Sequence, residues 1–196
     1  MIYTENKINE ILNWLKNNLD EERYVHSIGV AECAIDLAKQ YNQDTEKAYV
    51  AGLLHDCAKC FPFEKSKKIA ENNLELDECE KNNKKTIHAP ISSYVAKTEF
   101  GINDKIILSA IRWHTIGNIN MSTFDKIIFL ADKIEYKTRE EAYAKPLRYA
   151  LKDKGLDFAI MISYKQTIKS LVDRNLEICT STIDIYNKLL KQAIIK

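Results

Sequence analysis

An all-α fold is predicted by three properties of this sequence. Only five glycines and three prolines interrupt its 196 residues, so few points force a helix to end. Apolar residues recur at spacings of three and four, and no segment shows the sustained alternation of a half-buried strand. The polar stretches between the apolar segments are short. The sequence therefore predicts a single compact helical bundle.

The first three helices are predicted from apolar stripes and capping residues. One face of the first helix carries Ile8, Ile11, Leu12, Leu15 and Leu19. Asp20 suits the N-cap of a second helix, whose apolar face continues through Ile28, Ala31, Ile35 and Ala38. Asp44 or Thr45 begins a third helix, which is expected to run to about Lys59.

The remaining helices follow from the same spacing. It predicts helices over residues 63–73, 89–100, 104–114, 122–136, 156–178 and 181–195. Gly155 is a predicted break, but the part of the chain after it is too short for a second domain. We therefore expect one domain over residues 1–196, with a motif core at about 20–139 and C-terminal helices at about 156–196 packed on it.

Composition and charge limit the classes of partner. The chain is 45% hydrophobic and 29% charged, with a net charge of +1, as in an ordinary globular protein. Without a basic stripe, no polymeric nucleic acid is expected as a partner. The polar stretch from Glu80 to Lys85 is expected to be a solvated loop. There is no apolar run of the roughly 20 residues that span a bilayer and no signal-peptide pattern, so we expect a cytoplasmic protein without a membrane partner.

The five cysteines do not predict a disulfide framework, because their number is odd and their spacing irregular. Cys57-Ala58-Lys59-Cys60 matches the C-x-x-C pattern. A redox site of this kind belongs in a βαβ context, which an all-α sequence does not provide. The pattern is better explained by small residues near a helix end.

All four histidines occur where they can contribute to one metal site. They are His26, His55, His88 and His114, and Asp132 follows them within an apolar run. Imidazole and carboxylate groups are ligands for iron, zinc and manganese. One isolated histidine would more often be a residue that binds nothing. The ordered set is what favours a metal site.

The first three candidates are supported by their neighbours. Arg23 and His26 share a helix face that Val30 and Ala34 continue inward. His55 and Asp56 follow the apolar stretch 50–54, which contains Gly52, a residue tolerated in a helix where another backbone or a ligand approaches closely. Lys59 lies one turn beyond and suits a phosphate oxygen beside a metal. The alternative is a solvated Asp56–Lys59 pair of little energetic value.

Asp132 is costly to bury unless it is paired or bound to a metal. A buried salt bridge to Arg112 or Arg139 is the alternative to a metal ligand. His88 precedes Ala89-Pro90 at a helix start, and His114 ends a helix before Gly117. Either histidine can be a second-metal ligand, a phosphate donor or a proton donor to a leaving group.

The order His, His-Asp, His, His, Asp resembles the HD-domain metal-dependent phosphohydrolase superfamily. The finer pattern is similar to the bacterial symmetrical bis(5′-nucleosyl)-tetraphosphatases of the YqeK type, over about residues 23–139. Four segments carry it: Arg23-x-x-His26, Gly52-Leu53-Leu54-His55-Asp56-x-Ala58-Lys59, His114-Thr115-x-Gly117 and Leu130-Ala131-Asp132-x-Ile134-Glu135. One departure is that Tyr136 stands where the family has Pro, which shifts Arg139 by one residue.

This resemblance implies a metal-dependent enzyme that splits diadenosine tetraphosphate into two ADP. The metal would be iron, or manganese, cobalt or zinc, as one or two ions. The implied metal ligands are His26, His55, Asp56 and Asp132. The implied catalytic residues are Asp56, Lys59, His88 and His114. The implied substrate contacts are Arg23, Asp56, Cys57, Ala58, Lys59, His88, His114, Thr115, Arg139 and Arg174. A homodimer is a further expectation.

Three alternatives remain open at this point. The first is another HD-domain phosphohydrolase, such as a nucleotidase or a phosphodiesterase. The second is a sensor that binds nucleotide without turnover, which would not need every ligand. The third is a purely structural helical protein, which does not explain the order of the histidines. Product analysis and a metal assay distinguish these alternatives.

Overall fold

The computed structural model describes residues 3–76 and 78–194, and the described chain is helical and contains no β-strand. Its helices are α1 (Glu5–Asn18), α2 (Glu21–Gln40), α3 (Thr45–Leu54), α4 (Phe63–Asn73), α5 (Glu78–Lys81), α6 (His88–Thr98), α7 (Lys105–Trp113), α8 (Thr123–Ile134), α9 (Glu141–Lys154), α10 (Leu156–Asp173) and α11 (Thr180–Ile194). The prediction of an all-α fold is confirmed. None of these helices is both long enough and apolar enough to span a bilayer.

Side-chain caps fix where several helices begin. The Asp20 carboxylate accepts the backbone N–H of Arg23 at 2.9 Å, as predicted for the start of α2. Asp44 caps α3 in the same way. At α8, Ser122 and Asp125 form a reciprocal capping box. These caps set the register of the helices that carry the candidate site residues.

Close packing of α2 on α3 explains Gly52. A Cβ atom at this position would lie 2.5 Å from the Cα atom of Ala31 in α2. Only glycine permits this approach of the two backbones. Close approach of another backbone was one of the two explanations for Gly52 predicted from the sequence. The contact brings the C-terminal end of α3, with His55 and Asp56, against the middle of α2, which carries His26.

Helix α8 lies at the centre of the bundle and contacts α2, α3, α7, α9 and α10. Ile127, Ile128 and Leu130 are fully buried. Tyr164 of α10 stacks on Phe129 with ring centroids 5.2 Å apart, and its hydroxyl donates to the carbonyl oxygen of Ile116 at 2.7 Å. The helix that carries Asp132 is therefore surrounded by the core.

Several helix boundaries differ from the predictions. Helix α3 ends at Leu54 rather than about residue 59, and a turn follows through Cys60. Helix α10 ends at Asp173 rather than 178. Helix α9 was not predicted, although Gly155 does separate it from α10 with φ of +84°. The predicted end at residue 195 lies outside the described residues.

The stretch expected to be a solvated loop is partly helical and partly buried. Glu80 lies in the short helix α5 and is only 4% exposed. Both of its carboxylate oxygens accept hydrogen bonds from Arg112, each at 2.6 Å. The expectation of a solvated loop was wrong at Glu80, because a partner 32 residues away compensates the cost of burying its charge.

A disulfide joins Cys79 to Cys179, with Cα atoms 6.0 Å apart. The sequence argued against disulfides, because the spacing of the cysteines gives no indication of a pair 100 residues apart. Cys33, Cys57 and Cys60 are free, so the C-x-x-C pattern forms no bond.

Candidate active site

Three helices bring four ligand-type side chains together: His26 of α2, His55 and Asp56 after α3, and Asp132 of α8. We call these four residues the metal-ligand cluster. One ligand atom from each of His26, His55 and Asp56 lies within 4.8 Å of the others. The Asp132 Oδ1 atom lies 3.0 Å from His26 Nε2 and 3.6 Å from His55 Nε2. The four predicted metal ligands therefore converge on one point.

Hydrogen bonds orient both histidines of this cluster. His55 Nδ1 donates to the Gly52 carbonyl oxygen at 2.7 Å, and His26 Nδ1 donates to Glu135 Oε1 at 3.1 Å. His55 Nε2 is thus the atom with the lone pair and faces inward. At His26, burial alone would lower the pKa, but hydrogen bonds to Asp132 and Glu135 outweigh it and raise the pKa to about 9, so a metal ion there would take the place of a proton on Nε2. His55 Nε2 is buried and has no hydrogen-bond partner within the described chain. Two imidazole lone pairs and two carboxylates fit a divalent transition-metal ion.

Glu135 supports His26 from behind, a role the sequence analysis did not assign. Its side chain is fully buried and accepts hydrogen bonds from the backbone N–H groups of Lys137 and Thr138. Burial alone would raise the pKa of Glu135, but hydrogen bonds from His26 and Thr138 outweigh it and lower the pKa to about 2. A Cβ atom at Gly29 would lie 2.4 Å from Glu135 Oε2, so Gly29 leaves room for this carboxylate.

A second group of side chains surrounds the other face of Asp56: Lys59, His88, His114 and Thr115. We call these four residues the outer cluster. Asp56 Oδ1 lies 3.0 Å from His88 Nε2, 3.2 Å from His114 Nε2 and 3.6 Å from Lys59 Nζ. Thr115 Oγ1 lies 2.9 Å from His114 Nε2. Asp56, His88 and His114 also form a second geometric group that could hold a metal ion.

Burial disfavours the charged form of both outer histidines. Burial lowers the pKa of His114 to about 3, and burial also lowers the pKa of His88. His114 Nδ1 donates to the carbonyl oxygen of Ile111 at 2.8 Å, which leaves Nε2 as an acceptor. Lys59 Nζ donates to His88 Nε2 at 2.8 Å. Of the three roles left open for these histidines, a metal ligand fits this geometry better than a phosphate donor or a proton donor to a leaving group.

Asp56 belongs to both groups. Burial alone would raise the pKa of Asp56, but His88, His55 and Lys59 outweigh burial and hold the pKa well below its usual range. Arg23 Nη1 lies 4.0 Å from Asp56 Oδ2. Asp56 is therefore an anionic bridge between the metal-ligand cluster and a set of cations. The alternative of a solvated Asp56–Lys59 pair is wrong, because Asp56 is only 4% exposed.

Asp132 has a salt bridge as well as metal-ligand neighbours. Arg139 Nη2 lies 2.5 Å from Asp132 Oδ1 and 3.0 Å from His26 Nε2. The alternative partner named from the sequence, Arg112, pairs with Glu80 instead. Despite the shift of one residue, Arg139 thus lies at the metal-ligand cluster.

Lys133 is a second residue that the sequence analysis missed. Its ammonium group donates to the carbonyl oxygens of His114 and Phe129 at 3.1 and 3.2 Å, and to Asp132 Oδ2 at 3.3 Å. It is 9% exposed and lies over the Phe129 ring. The signal available in the sequence was a lysine next to Asp132 inside an apolar run.

Three predicted substrate contacts lie away from the two clusters. Cys57 and Ala58 are buried against Ser92, which accepts the Ala58 N–H at 3.1 Å. Arg174 caps the C-terminus of α10, where it lines a cavity between α9 and α10.

The fold and site define a metal-dependent HD-domain hydrolase. The family model for the HD domain matches residues 23–137, which is more than half of the chain. The chain belongs to this family. The matched region contains His26, His55, Asp56 and Asp132 as well as the outer cluster.

Two relatives and one solved structure are similar to this chain over nearly its whole length. A protein of Halalkalibacterium halodurans named bis(5′-nucleosyl)-tetraphosphatase, symmetrical, is 40% identical over 91% of this chain and 95% of its own length. The protein of that name from Bacillus subtilis is 34% identical over 92% of this chain and 96% of its own length. A crystal structure from Clostridium acetobutylicum, described as a predicted HD superfamily hydrolase involved in NAD metabolism, is 41% identical with a TM-score of 0.89, covering 94% of this chain and 97% of its own.

Proposed function

We propose that this protein hydrolyses diadenosine tetraphosphate symmetrically into two molecules of ADP. The observation that carries the proposal is Asp56, which joins the metal-ligand cluster to two cations, Arg23 at 4.0 Å and Lys59 at 3.6 Å. The names of the relatives from Halalkalibacterium halodurans and Bacillus subtilis support it. Both relatives align over nearly their whole length, so the similarity is not confined to the HD motif.

The proposed cofactor is iron, or manganese, cobalt or zinc, held by His26, His55, Asp56 and Asp132. Two imidazoles and two carboxylates suit these ions better than calcium or magnesium, which prefer oxygen ligands alone. When bound, such an ion polarises a phosphoryl group and activates water. One ion would be held by the metal-ligand cluster, and a second would use Asp56, His88 and His114.

The cationic side chains are proposed to hold the substrate. A tetraphosphate carries a high negative charge, and Arg23, Lys59 and Arg139 border the cluster with positive charge. With a single ion bound, His114 Nε2 would be placed to accept a proton from an attacking water, because Nδ1 donates to the Ile111 carbonyl oxygen. The departing ADP is a stabilised diphosphate anion, so positioning contributes more than protonation of the leaving group.

The proposal includes where and with what the protein works. We place it in the cytoplasm, as a possible homodimer, with a dinucleoside polyphosphate as its substrate and ADP as its product. We propose neither polymeric nucleic acid nor a membrane as a partner, because the chain has a net charge of +1 and no basic stripe.

The decisive experiment is product analysis with purified, metal-analysed protein. Diadenosine tetraphosphate is incubated in oxygen-18 water, and the products are resolved by chromatography and mass spectrometry. We expect ADP as the sole nucleotide product, with one labelled oxygen per cleavage. Equal amounts of ATP and AMP would contradict symmetrical cleavage.

The triphosphate homologue, AMP and NAD serve as comparison substrates. The homologue should give AMP and ADP more slowly, since a shorter chain cannot occupy both sides of the attacked bond. Rapid release of phosphate from AMP would favour a nucleotidase. Preferential cleavage of NAD would agree with the description of the Clostridium acetobutylicum structure and contradict our proposal.

A further inference from the structure

Arg148 closes the end of the helix that carries Asp132. The last carbonyl groups of a helix have no donor within the helix itself. At the end of α8, Arg148 Nε donates to the carbonyl oxygen of Ile134 and Arg148 Nη2 to that of Glu135, each at 2.8 Å. A guanidinium group can make both bonds at once because its N–H groups lie in one rigid plane. Arg148 belongs to α9, beyond residue 137, where the match to the HD family model ends.

Two further contacts hold this guanidinium group in place. Its Nη1 atom pairs with the carboxylate of Glu141 at the start of α9, and its Cζ atom lies 3.8 Å from the centroid of the Tyr136 ring. The Arg148 side chain is only 13% exposed. An arginine with donors to two carbonyl groups and a carboxylate, and with a ring against its face, has few alternative conformations. It can therefore fix the backbone that it contacts.

The backbone that Arg148 holds leads directly to the supports of two candidate metal ligands. Glu135 places its own carboxylate 3.1 Å from His26 Nδ1. Four residues further on, Arg139 contacts Asp132 Oδ1 at 2.5 Å. Both supports extend from the segment that joins α8 to α9. Because Glu135 is the first residue of that segment, the position of its backbone determines where its carboxylate lies.

We propose that Arg148 is a positioning residue for the candidate metal centre. By holding the two carbonyl groups at the end of α8, it keeps the Glu135 carboxylate in contact with His26, and it acts on the metal ion only through these two residues. The inference rests on the proposed function in one respect, because it takes His26 to be a metal ligand. It does not depend on the substrate.

Metal affinity separates this role from a role in stability alone. Arg148→Met removes a positive charge, which on charge alone would raise the affinity for a divalent cation. A loss of affinity therefore reports a change in geometry. Arg148→Lys keeps the charge but lacks the planar fork that bonds both carbonyl groups. Lys152→Met removes a positive charge from an exposed position of the same helix and is the control.

We expect Arg148→Met to weaken metal affinity by roughly threefold to thirtyfold, measured by competition with a chromogenic chelator. Arg148→Lys should lose less, and Lys152→Met should match the wild type. Circular dichroism shows which variants are folded. Wild-type affinity in both Arg148 variants would overturn the proposal. If Arg148→Met does not fold, wild-type affinity in Arg148→Lys alone would overturn it.

The route through Glu135 is tested by combining Arg148→Met with Glu135→Gln. Once the carboxylate is gone, Arg148 has no support left to position. The double variant should therefore bind metal about as weakly as Glu135→Gln alone. Losses that multiply would overturn the proposal, because Arg148 would then act on the metal centre independently of Glu135.

Hydrogen exchange in the metal-free protein gives a readout that needs neither metal nor substrate. The backbone N–H groups of Lys137 and Thr138 donate to the Glu135 carboxylate at 2.5 and 3.1 Å. We expect Arg148→Met to speed exchange at both by about tenfold or more, with exchange in α1 unchanged. Unchanged exchange at both groups would overturn the proposal even if symmetrical cleavage is established. Conversely, faster exchange and weaker metal affinity, together with no cleavage of diadenosine tetraphosphate by the wild type, would overturn the proposed function alone.

Discussion

At the scale of single residues, two buried carboxylates differ in the partners that neutralise them. Asp56 lies among His55, His88 and Lys59, so its charge is available to a metal ion or to groups around a phosphate. Glu135 instead accepts bonds from His26 and from the backbone of the following turn. Asp56 is therefore a candidate metal ligand. Glu135 instead orients His26, another candidate ligand, through its Nδ1 atom.

Glu135→Gln is expected to weaken metal binding by roughly 10–100-fold while the protein stays folded. The amide keeps the size of the side chain but removes the charge that favours donation from His26 Nδ1. Competition with a chromogenic chelator measures the affinity. Glu64→Gln, an exposed change on α4, is the control. Wild-type metal affinity in the Glu135 variant would show that the contact does not tune His26.

Lys59→Met is expected to keep the metal content and lower kcat by about 10²–10³-fold. Lys59 Nζ contacts His88 Nε2 at 2.8 Å and lies farther from the metal-ligand cluster, so its charge suits a substrate phosphate. Metal analysis and steady-state kinetics are measured on the same sample. Lys65→Met, at an exposed position, should leave both unchanged. Loss of metal in parallel with activity would make Lys59 a structural residue.

At the scale of helices, the sequence predicted elements with local signals and missed those that depend on distant partners. Helix α2 begins at its predicted cap, Asp20. Of its predicted apolar face, Ala31 and Ala38 are buried, whereas Ile28 and Ile35 are only partly buried. Helix α9 carries Pro146 in its interior, a residue that normally argues against a helix. Glu80 is buried with its carboxylate paired to Arg112, 32 residues away. Such pairing across the chain is not visible in apolar spacing.

The same limit applies to the candidate site. The family resemblance identified four candidate metal ligands, and the structure brings these four side chains together. The order of the histidine and aspartate motifs along the chain was enough to find them. It assigned no role to Lys133, whose function depends on the position of the His114 carbonyl oxygen 19 residues earlier. Supporting residues are chosen by tertiary geometry, so sequence reasoning finds ligands more readily than their supports.

Gly52→Ala is expected to destabilise the protein by about 1–3 kcal/mol. Alanine favours a helix by about 1 kcal/mol over glycine, but its Cβ would meet the α2 backbone at 2.5 Å. The displaced α3 carries His55, which donates to the Gly52 carbonyl oxygen, so metal retention should fall too. Gly101→Ala strains the backbone without a steric contact and should spare metal binding. Thermal unfolding and metal analysis decide; an unchanged or raised Tm would contradict the packing argument.

Asp104 should link the stability of α7 to pH. Its carboxylate caps α7 and pairs with Lys47 at 2.8 Å, and the Lys47 hydrogen bond holds its pKa below the ordinary 3.8. The charged Asp104 carboxylate therefore contributes to the free energy of unfolding above pH 3.8, and this contribution is lost as pH falls through the lowered pKa. Asparagine also caps but loses the charge pair with Lys47, so Asp104→Asn should cost less at pH 7 than the about 0.5–2 kcal/mol of Asp104→Ala, and its cost should disappear on acidification. Urea unfolding at pH 7 and pH 3 measures both. A cost that persists undiminished for Asp104→Asn at pH 3 would contradict the linkage.

At the scale of the whole molecule, the candidate metal centre connects helices that are distant in sequence. His26 lies in α2, His55 and Asp56 follow α3, and Asp132 lies in α8. Helix α10 packs on α8 through Tyr164 and Phe129. We propose that the C-terminal helices and the motif core unfold as one unit, because α8 belongs to the packing of both.

Metal removal should consequently lower the stability of the whole chain. An ion that binds only the folded state stabilises it by RT ln(1 + [L]/Kd), or about 2.7 kcal/mol when its free concentration is 100 times Kd. We expect a chelator to lower the single Tm of the wild-type protein and the restored ion to raise it again.

Asp132→Ala should lose the bound metal and hydrolysis, and its Tm should no longer respond to the chelator. Asp104→Asn keeps every ligand and should respond as the wild type does. A chelator-sensitive Tm in Asp132→Ala would remove Asp132 from the ligand set. Two separate transitions in the wild type would show instead that the C-terminal helices unfold independently of the metal centre.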